Sequence, residues 1–212
     1  MIVKKVKMSD LNKIYLYRMT HIENIPHILK HGITHSESQH KNEAYKPIGD
    51  GSLISRRNSF SVPNGKTLGD YIPFYFGRLM PMLYVIQNGF NGVTAVSPEQ
   101  IVYCMSSVQK MIDLDLEFIF TDGHAVDALS IFYNKLDAHQ IDTLLDFEAI
   151  KAQWWNADLD LKRRKEAEFL VKNDVPSEAI IGYVVYNETA QNQLITYGIP
   201  TEKIVIRTNF YF

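Results

Sequence analysis

The feature of this chain that most constrains its fold is a glutamate placed between a basic run and an apolar segment. Glu168 is preceded by a run of four cations and followed directly by Phe169, Leu170 and Val171, which must be buried. Alternation along a strand puts Glu166 and Glu168 on one face and Phe169 on the other. A carboxylate that faces a cleft beside cations suits stabilisation of transition-state charge or general base catalysis. For this stretch taken alone, a solvated glutamate on an edge strand is the commoner arrangement.

The length and composition of the chain favour one globular domain. With 212 residues it is long enough for one well-buried core and short for two ordinary domains, so we predict a single domain over residues 1–212. Its hydrophobic content of 46% and charged content of 22% lie near the averages of globular proteins. Disordered, collagen-like and membrane-embedded classes are therefore excluded by composition.

Two features of the chain predict a cytoplasmic protein that does not bind a membrane. No uninterrupted apolar run approaches the length that spans a bilayer, and residues 1–7 lack the apolar core of a signal peptide.

The single cysteine, Cys104, rules out an internal disulfide, and its apolar neighbours predict a buried and inert thiol. We also expect the protein to be a monomer.

The charges of the chain do not predict a general attraction to nucleic acid. The formal net charge is −2, so any contact with DNA or RNA must come from local patches. Cations cluster in two places, which we interpret as patches without nearby acids to cancel them. The residues of these two patches are Arg56, Arg57, Lys162, Arg163, Arg164 and Lys165.

Hydrophobic periodicity predicts strands and helices without a regular βαβ rhythm. One helix is predicted to begin after Asn24, with Pro26 in its first turn, and to end at Gly32. Residues 34–68 are polar and show no period, which predicts a long loop. The other predicted helices cover residues 80–86, 125–136, 139–145, 147–155 and 188–197. The predicted strands cover residues 11–18, 71–76, 101–105, 117–120, 180–186 and 204–206, with another from Phe169 onward. The fold class is therefore α+β, with a central mixed or largely antiparallel sheet flanked by helices.

Several enzyme classes can be set aside because their motifs are absent. The sequence has no P-loop, no Gly-x-Gly-x-x-Gly motif, no cysteine pair for zinc and no His-Glu-x-x-His motif. Its seven histidines include one loose group, from His27 to His40, and no acid or cysteine follows that group at ligand spacing. We interpret this group as a solvated surface and expect no metal.

Three further groups of residues could bind a ligand, although each has a structural alternative. Thr20 and His21 leave the end of a predicted strand together and could hydrogen-bond an amide or a ribose, or simply cap the next helix. Arg56 and Arg57 could grip a phosphate, although a basic solvated loop is the commoner interpretation. The aromatic residues within 71–76 and at 84 could stack on a nicotinamide or a base, although a place in the core is commoner for such residues.

Taken together, these segments resemble the DarT family of bacterial toxins, which are DNA ADP-ribosyltransferases. The resemblance runs nearly the full length of the chain and depends on five motifs in compatible order and spacing. The first motif covers residues 17–24 with Ile28, Leu29 and Gly32, and the second is Arg56-Arg57-Asn58. The other motifs are residues 70–76 with 81–83, residues 118–124, and residues 167–171.

The resemblance implies an ADP-ribosyltransferase fold that binds NAD in a cleft, transfers ADP-ribose to a base in single-stranded DNA and releases nicotinamide. Glu168 aligns with the family's catalytic glutamate and Arg57 with its catalytic arginine. The segment from about residue 155 to residue 165 aligns with the loop that recognises the target. The positions expected to contact NAD or to line the base pocket are occupied by Arg18, Thr20, His21, Tyr75, Met82 and His124.

One position departs from the family pattern, because many relatives carry histidine where this chain has Arg18. The contact of this residue with NAD would then be made differently, by charge to a phosphate or to an amide. The other motifs stand unaltered. The resemblance therefore implies an active enzyme with NAD as its co-substrate and no metal.

A hypothesis for the reaction follows from the chemistry of NAD and of pyrimidines. Breaking the nicotinamide–ribose bond develops oxocarbenium character, which a carboxylate near the ribose hydroxyls can stabilise. Attack by a pyrimidine ring nitrogen requires loss of a proton. The hypothesis gives Glu168 the role of base and Arg57 that of stabilising the developing charge. Arg56 and the basic residues at 162–165 are expected to hold phosphates of the DNA strand.

The sequence leaves the acceptor and the biological setting open. Thymine is the first choice of base and guanine the second, while a transferase of the same fold could act on RNA or protein. A non-catalytic DNA-binding module is the alternative from a different class, and the presence of both Arg57 and Glu168 argues against it. The family context implies a toxin–antitoxin or phage-defence role, with an antitoxin partner that removes ADP-ribose from DNA.

Overall fold

One mixed sheet of eight strands organises the part of the chain that the computed structural model describes, residues 10–156 and 158–212. The strands are β1 (Tyr15–His21), β2 (Tyr71–Tyr75), β3 (Ile101–Ser107), β4 (Phe118–Thr121), β5 (Phe132–Asn134), β6 (Glu168–Lys172), β7 (Gly182–Val185) and β8 (Ile204–Ile206). Their order is β5-β4-β6-β2-β1-β3-β7-β8. Neighbouring strands are antiparallel except for β7 and β8, which are parallel. The predicted α+β class with a mixed sheet is confirmed.

The helices are α1 (Ile25–His31), α2 (Gly51–Ser59), α3 (Pro81–Asn88), α4 (Val108–Asp113), α5 (Ile141–Leu144), α6 (Phe147–Lys151), α7 (Leu159–Lys165) and α8 (Glu188–Thr196). Across residues 10–156 and 158–212, none of them is long and apolar enough to cross a membrane. Residues 1–7, from which the sequence predicted a chain without a signal peptide, lie outside the described residues. The single domain and the monomeric state stay predictions.

Strand β6 lies inside the sheet, and its side chains alternate between two hydrophobic cores as the sequence predicts. The strand pairs with β2 on one side and with β4 on the other. Phe169 and Val171 belong to the larger core, where the ring of Phe169 lies 4.3 Å from that of Phe118. Leu170 packs instead in a smaller core with Leu68. Because both edges of β6 are paired, the first residue of the strand is held firmly at the sheet.

Helix α1 has the bounds that its sequence predicts. It begins after Asn24, has Pro26 in its first turn and ends at Gly32. The side chain of Asn24 does not cap the helix, and its amide group donates to the carbonyl oxygen of Lys46 at 2.9 Å. Gly32 has φ +78°, and a Cβ atom there would lie 2.1 Å from the carbonyl oxygen of Val175, so only glycine fits.

Residues 34–68 are not the continuous loop that was predicted, because they contain α2. Asp50 caps this helix by accepting hydrogen bonds from the amides of Ser52 and Leu53 at 2.8 and 3.4 Å. None of the residues of α2 is buried, so the helix has no apolar stripe from which its period could be recognised. The correction places Arg57 on a helix and not on a loop.

Residues 125–136 do not form the predicted helix. Strand β5 lies at the end of this segment because it pairs with β4. A carboxylate oxygen of Asp122 accepts a hydrogen bond from the amide of Ile131 at 2.8 Å and fixes the turn between the two strands. The basic run before β6 is helix α7, and the strand after it begins at Glu168.

Replacing Phe169 with alanine is expected to lower the free energy of unfolding by about 3–5 kcal/mol, the usual loss for a buried phenylalanine. Phe169 is 0% exposed and packs against the rings of Phe76 and Phe118. Phe90 is 48% exposed and provides the matched control, since Phe90→Ala is expected to cost less than about 1 kcal/mol. Chemical denaturation measures both values, and equal losses would contradict the central place of Phe169 in the core.

Candidate active site

A buried ion pair joins the two residues that the sequence predicted as catalytic. Nη1 of Arg57 donates to Oε2 of Glu168 at 2.8 Å, although 111 positions separate the two residues in the chain. The side chain of Glu168 is 0% exposed and that of Arg57 is 14% exposed. Arg57 comes from α2, and Glu168 is the first residue of β6. Water is largely excluded from the pair, so its charges act strongly on anything bound beside it.

The main chain binds the other oxygen of the Glu168 carboxylate. The amide of Ala125 donates to Oε1 at 2.9 Å. The amide of Glu168 itself donates to Oγ1 of Thr121 at 3.2 Å, and the Thr121 hydroxyl donates to the carbonyl oxygen of Gly123 at 2.6 Å. Both carboxylate oxygens therefore accept a hydrogen bond from the protein, which fixes the orientation of the group.

Arg57 keeps one nitrogen, Nη2, that is buried and has no hydrogen-bond partner in the described part of the chain. A buried donor left unpaired is destabilising by about 1–3 kcal/mol. The acceptor of a bound ligand would satisfy it. The guanidinium is thus arranged to hold Glu168 with one nitrogen and to meet a ligand with another.

A cavity of about 500 Å³ lies beside the ion pair, within the usual size range of small-molecule sites. Five of the residues predicted to be functional line it, and they are Arg18, Thr20, Arg57, Tyr75 and Met82. His27 and His35 line the same cavity. The group that we interpret as a solvated surface therefore contributes two side chains to the wall of this cavity.

Hydrogen bonds position the polar side chains of this cavity. Nη1 of Arg18 donates to the carbonyl oxygen of Pro73 at 2.9 Å. Oγ1 of Thr20 accepts from Nδ2 of Asn24 at 3.0 Å, and the same Nδ2 donates to the carbonyl oxygen of Lys46. Asn24, which the sequence indicated only as a helix cap, thus ties the segment around Lys46 to the wall of the cavity.

Tyr75 lies opposite Glu168 in the pairing of β2 with β6. Burial raises the pKa of its phenol far above the ordinary value, and the charge of Glu168 raises this pKa further, while Arg57 opposes the shift. The phenol therefore stays protonated in the physiological range and can donate a hydrogen bond to a ligand.

Two histidines that were predicted to contact NAD do not line this cavity. Nδ1 of His21 accepts a hydrogen bond from the amide of Glu23 at 3.2 Å, and the residue borders a neighbouring cavity. His124 lies close enough to Glu168 and Arg57 for their charges to act on its imidazole. Burial is the main influence on His124 and lowers its pKa, so a neutral imidazole stands beside the ion pair.

Lys165 is not available to DNA, and the phosphate contact predicted for it is wrong. The residue is 1% exposed, and its ammonium donates to the carbonyl oxygens of Ile150, at 3.2 Å, and of Ala152. Burial lowers the pKa of Lys165 to about 8. Carbonyl groups at the end of α6 and just after it therefore enclose the charge that the sequence assigned to phosphate binding.

Acids cancel much of the remaining charge of the basic run. Arg163 pairs with Asp160 at 2.9 Å and with Asp122 at 3.1 Å. Arg164 pairs with Asp160 at 2.8 Å and also with Asp146. The interpretation of this run as a patch without nearby acids is wrong. Asp160, two positions before the run, pairs with both arginines, and Asp122 and Asp146 reach them from distant parts of the chain.

Two members of the predicted DNA-contacting set keep their charge in solvent. Lys162 and Arg56 are exposed, and neither forms an ion pair with another of the described residues. Lys162 is close enough to lower the pKa of His124, and Arg56 is the chain neighbour of Arg57. Free positive charge is therefore present on α2, which supplies Arg57, and on α7, which precedes the strand of Glu168.

Sequence reasoning missed hydrogen bonds that the main chain makes and contacts between residues that lie far apart in the chain. The amide of Ala125 has no side-chain signal by which its bond to Glu168 could be recognised. Thr121 stands within a recognised motif but was given no role. Glu166 was noted only for the face on which it would lie, and its partial burial becomes visible only in the fold.

Comparisons with known proteins identify relatives along nearly the whole chain. The family model described as "ssDNA thymidine ADP-ribosyltransferase, DarT" matches residues 17–212. A DNA ADP-ribosyl transferase of Thermus sp. (strain 2.9) is 34% identical over 206 residues, which cover 93% of this chain and 95% of that protein. A DNA ADP-ribosyl transferase–DNA ADP-ribosyl glycohydrolase fusion protein of Thermosipho africanus (strain H17ap60334) is 29% identical over 181 residues, or 84% of this chain and 44% of the fusion.

Two solved structures of Thermus sp. 2.9 DarT share the fold. The complex with ADP-ribosylated ssDNA has a TM-score of 0.83 at 30% identity and covers 94% of this chain and 96% of that chain. The complex with NAD+ has a TM-score of 0.79 at 29% identity and covers 97% of this chain and 100% of that chain. The resemblance seen in the sequence is thereby confirmed, and the chain belongs to the DarT family of single-stranded DNA thymidine ADP-ribosyltransferases.

Proposed function

We propose that this protein transfers ADP-ribose from NAD to thymine in single-stranded DNA and that Arg57 and Glu168 catalyse the transfer. The reaction is that of the family to which the chain belongs. The observation that most directly supports the two residues is their buried ion pair beside a cavity of about 500 Å³. The unpaired Nη2 of Arg57 gives the site a buried donor that suits an oxygen of NAD.

The residues that line the cavity have the chemistry that NAD requires. Arg18 uses one guanidinium nitrogen on the carbonyl oxygen of Pro73, which leaves other donors for a phosphate or an amide. Thr20 and Tyr75 offer hydroxyl groups, and Met82 offers an apolar surface on which a ring can pack. The Thermus sp. 2.9 relative has been solved in complex with NAD+. We therefore assign these four residues to the binding of NAD.

Glu168 has the position and the rigidity to act on the ribose when its bond to nicotinamide breaks. That step develops oxocarbenium character, which a fixed carboxylate stabilises without reorganising. Arg57 and the amide of Ala125 hold the carboxylate in one orientation at 2.8 and 2.9 Å. In this proposal Glu168 stabilises the ribose cation, and Arg57 both orients Glu168 and contacts the co-substrate.

The acceptor strand must be single-stranded, because a base inside a duplex cannot present its ring nitrogen to a closed site. Lys162 and Arg56 are the exposed cations that we assign to its phosphates. In this proposal Arg163 and Arg164 contribute less to phosphate binding, because both are paired with aspartates. Lys165 does not bind phosphate, because its ammonium is enclosed by the protein.

We propose further that the partner of this protein is an antitoxin that removes ADP-ribose from DNA. The relative from Thermosipho africanus is named as a fusion of a DNA ADP-ribosyl transferase with a DNA ADP-ribosyl glycohydrolase. A partner with that activity would reverse the modification, which suits a toxin–antitoxin pair. NAD and DNA occur together in the cytoplasm, which is the compartment we propose.

Short oligonucleotides test the acceptor. Incubation with NAD is expected to add the mass of one ADP-ribose to a single strand that contains thymine and to leave a thymine-free strand unchanged. Annealing the complementary strand is expected to suppress the gain, because the duplex hides the ring nitrogen. Mass spectrometry reads both results, and a DNA ADP-ribosyl glycohydrolase should remove the added mass. A gain only on guanine, RNA or protein would overturn the assignment of thymine.

Glu168→Gln is expected to lower the rate of ADP-ribose transfer by about 10²–10³-fold, because the amide lacks the charge that stabilises the ribose cation. Glu178→Gln is the matched control, since Glu178 is exposed. Nicotinamide release and mass gain measure the rate, and thermal unfolding checks that each variant folds. A Glu168→Gln protein that modified DNA at the wild-type rate would refute the catalytic assignment.

Replacing both Lys162 and Arg56 with glutamine is expected to weaken binding of single-stranded DNA and to flatten its salt dependence. Each lost phosphate contact removes about 0.7 from the slope of log K against log salt, so the double variant should lose about 1.4. Lys203→Gln removes an exposed charge elsewhere and serves as the control. Fluorescence anisotropy over a salt series measures the slope, and an unchanged slope would show that these cations belong to a solvated surface.

A further inference from the structure

A group of aromatic side chains at the surface has no role in the reaction as described so far. They come from α3 and the residues after it, from the segment between α6 and α7 and from residues 210–212, and they are Tyr84, Phe90, Trp154, Phe210 and Phe212. Trp154 is 56% exposed and Phe90 is 48% exposed, and the other three rings are partly exposed. Because large rings are usually removed from water, an exposed group of them is typical of a binding surface. We call this group the aromatic surface.

The ring of Phe212 lies at the centre of the aromatic surface. Its centroid is 5.9 Å from that of Trp154 and 5.2 Å from that of Tyr84. Gln87 of α3 fixes the main chain of Phe212, since its side-chain oxygen accepts a hydrogen bond from the Phe212 amide at 3.0 Å. The ring of Trp155 lies 6.3 Å from that of Trp154 and 5.8 Å from that of Phe212. Two neighbouring rings therefore hold Trp154 in place while much of its own ring stays open to solvent.

Arg78 adds positive charge to the aromatic surface. Its guanidinium carbon lies 5.0 Å from the centroid of the Phe210 ring, within the distance of a cation–π contact. Arg78 is exposed and forms no ion pair with another of the described residues. The hydroxyl of Tyr103, a buried residue, fixes this arrangement, because it donates to the carbonyl oxygen of Arg78 at 3.0 Å and lies 3.2 Å from that of Phe210. Rings beside a cation match a single nucleic acid strand, which offers bases to stack and phosphates to neutralise.

Paired strands and ring contacts join the aromatic surface to the catalytic pair. Tyr75 lies opposite Glu168 of β6 on one side and opposite Tyr17 of β1 on the other. The ring of Tyr17 lies 5.8 Å from that of Phe210. Arg78 follows Tyr75 by three residues, so the Cα atoms of the two are at most about 11 Å apart. Since Tyr75 also lines the cavity beside the ion pair, the aromatic surface begins next to the place where the reaction occurs.

This continuity indicates which partner the aromatic surface binds. The target base has to leave its strand and enter the site, so the nucleotides on either side of it lie just outside the site. Their bases are unpaired and present flat faces. Stacking on aromatic side chains suits any of the four bases, because each has a π-face. The acceptor strand itself is therefore the occupant that the position, the rings and the charge of this surface fit.

Building on the proposed function, we propose that Trp154, supported by Phe212, stacks on a base next to the target thymine and that Arg78 binds a phosphate of the same stretch of DNA. These residues bind the strand and do not touch the reacting atoms. Their contacts are the same before and during the transfer, so they lower the KM for DNA and leave kcat unchanged.

Steady-state kinetics with a single-stranded oligonucleotide that contains thymine provide the first test. Trp154→Leu is expected to raise the KM for this strand by about 5–100-fold, the usual effect of losing one stacked base, and to keep kcat and the KM for NAD. Trp154→Phe retains a ring and is expected to recover most of the affinity. Tyr197→Leu is the matched control, because it removes a partly exposed ring that packs against the larger core. Thermal unfolding checks that each variant folds.

A strand whose nucleotides on both sides of the thymine lack their bases but keep their phosphates separates stacking from charge. Trp154→Leu and the wild type are expected to bind this abasic strand with equal affinity, because no base is left to stack. Arg78→Gln is expected to weaken the binding of both strands by the same factor and to remove about 0.7 from the slope of log K against log salt. Fluorescence anisotropy without NAD measures these affinities.

Tryptophan fluorescence reports the contact directly, because the chain has two tryptophans and Trp155 is only 8% exposed. The intact strand is expected to quench the emission of the wild type. The emission of Trp154→Phe, which comes from Trp155 alone, is expected to change little. The abasic strand is expected to quench neither protein strongly.

Two results would overturn the proposal. One is a Trp154→Leu protein with the KM and affinity of the wild type on the intact strand, which would leave the aromatic surface to another partner. The other is a loss of affinity in Trp154→Leu that is equal on the intact and the abasic strand, which would show a structural role. A wild-type protein that added ADP-ribose to no DNA would instead refute the proposed function, and the binding and fluorescence measurements would still decide the role of Trp154.

Discussion

The ion pair between Arg57 and Glu168 is the interaction on which the rest of the site depends. Glu168 is 0% exposed, and a buried carboxylate without a partner is strongly destabilising. Its partner comes from α2, a helix that has no buried residue of its own. The helix is held by this ion pair and by its close approach to Gly69, where a Cβ atom would lie 2.5 Å from the side chain of Asn58. The contact that assembles the site thus also fixes the helix that supplies half of it.

The placement of charge explains how a chain with a net charge of −2 can act on a polyanion. Asp160, with Asp122 and Asp146, holds the two arginines of α7 in fixed positions. This pairing locates α7, and with it the start of β6, but leaves little free charge for phosphate. Non-specific attraction to DNA grows with the number of free cations, so here it is modest. Selection of the acceptor base then depends on the groups around the ion pair and not on contacts with the DNA backbone.

Those parts of the fold that depend on local pattern could be predicted from the sequence, and those that depend on distant partners could not. The bounds of α1 and the alternation along β6 follow from apolar spacing and from Pro26 and Gly32. Helix α2 lacks an apolar stripe, so its capping residue Asp50 was the one available signal. The burial of Lys165 contradicts the ordinary preference of lysine for solvent and depends on carbonyl groups of another segment. Glu168 and Arg57 could each be singled out from the sequence, but their catalytic roles came from the resemblance, since neither their contact nor the amide of Ala125 leaves a trace in the sequence.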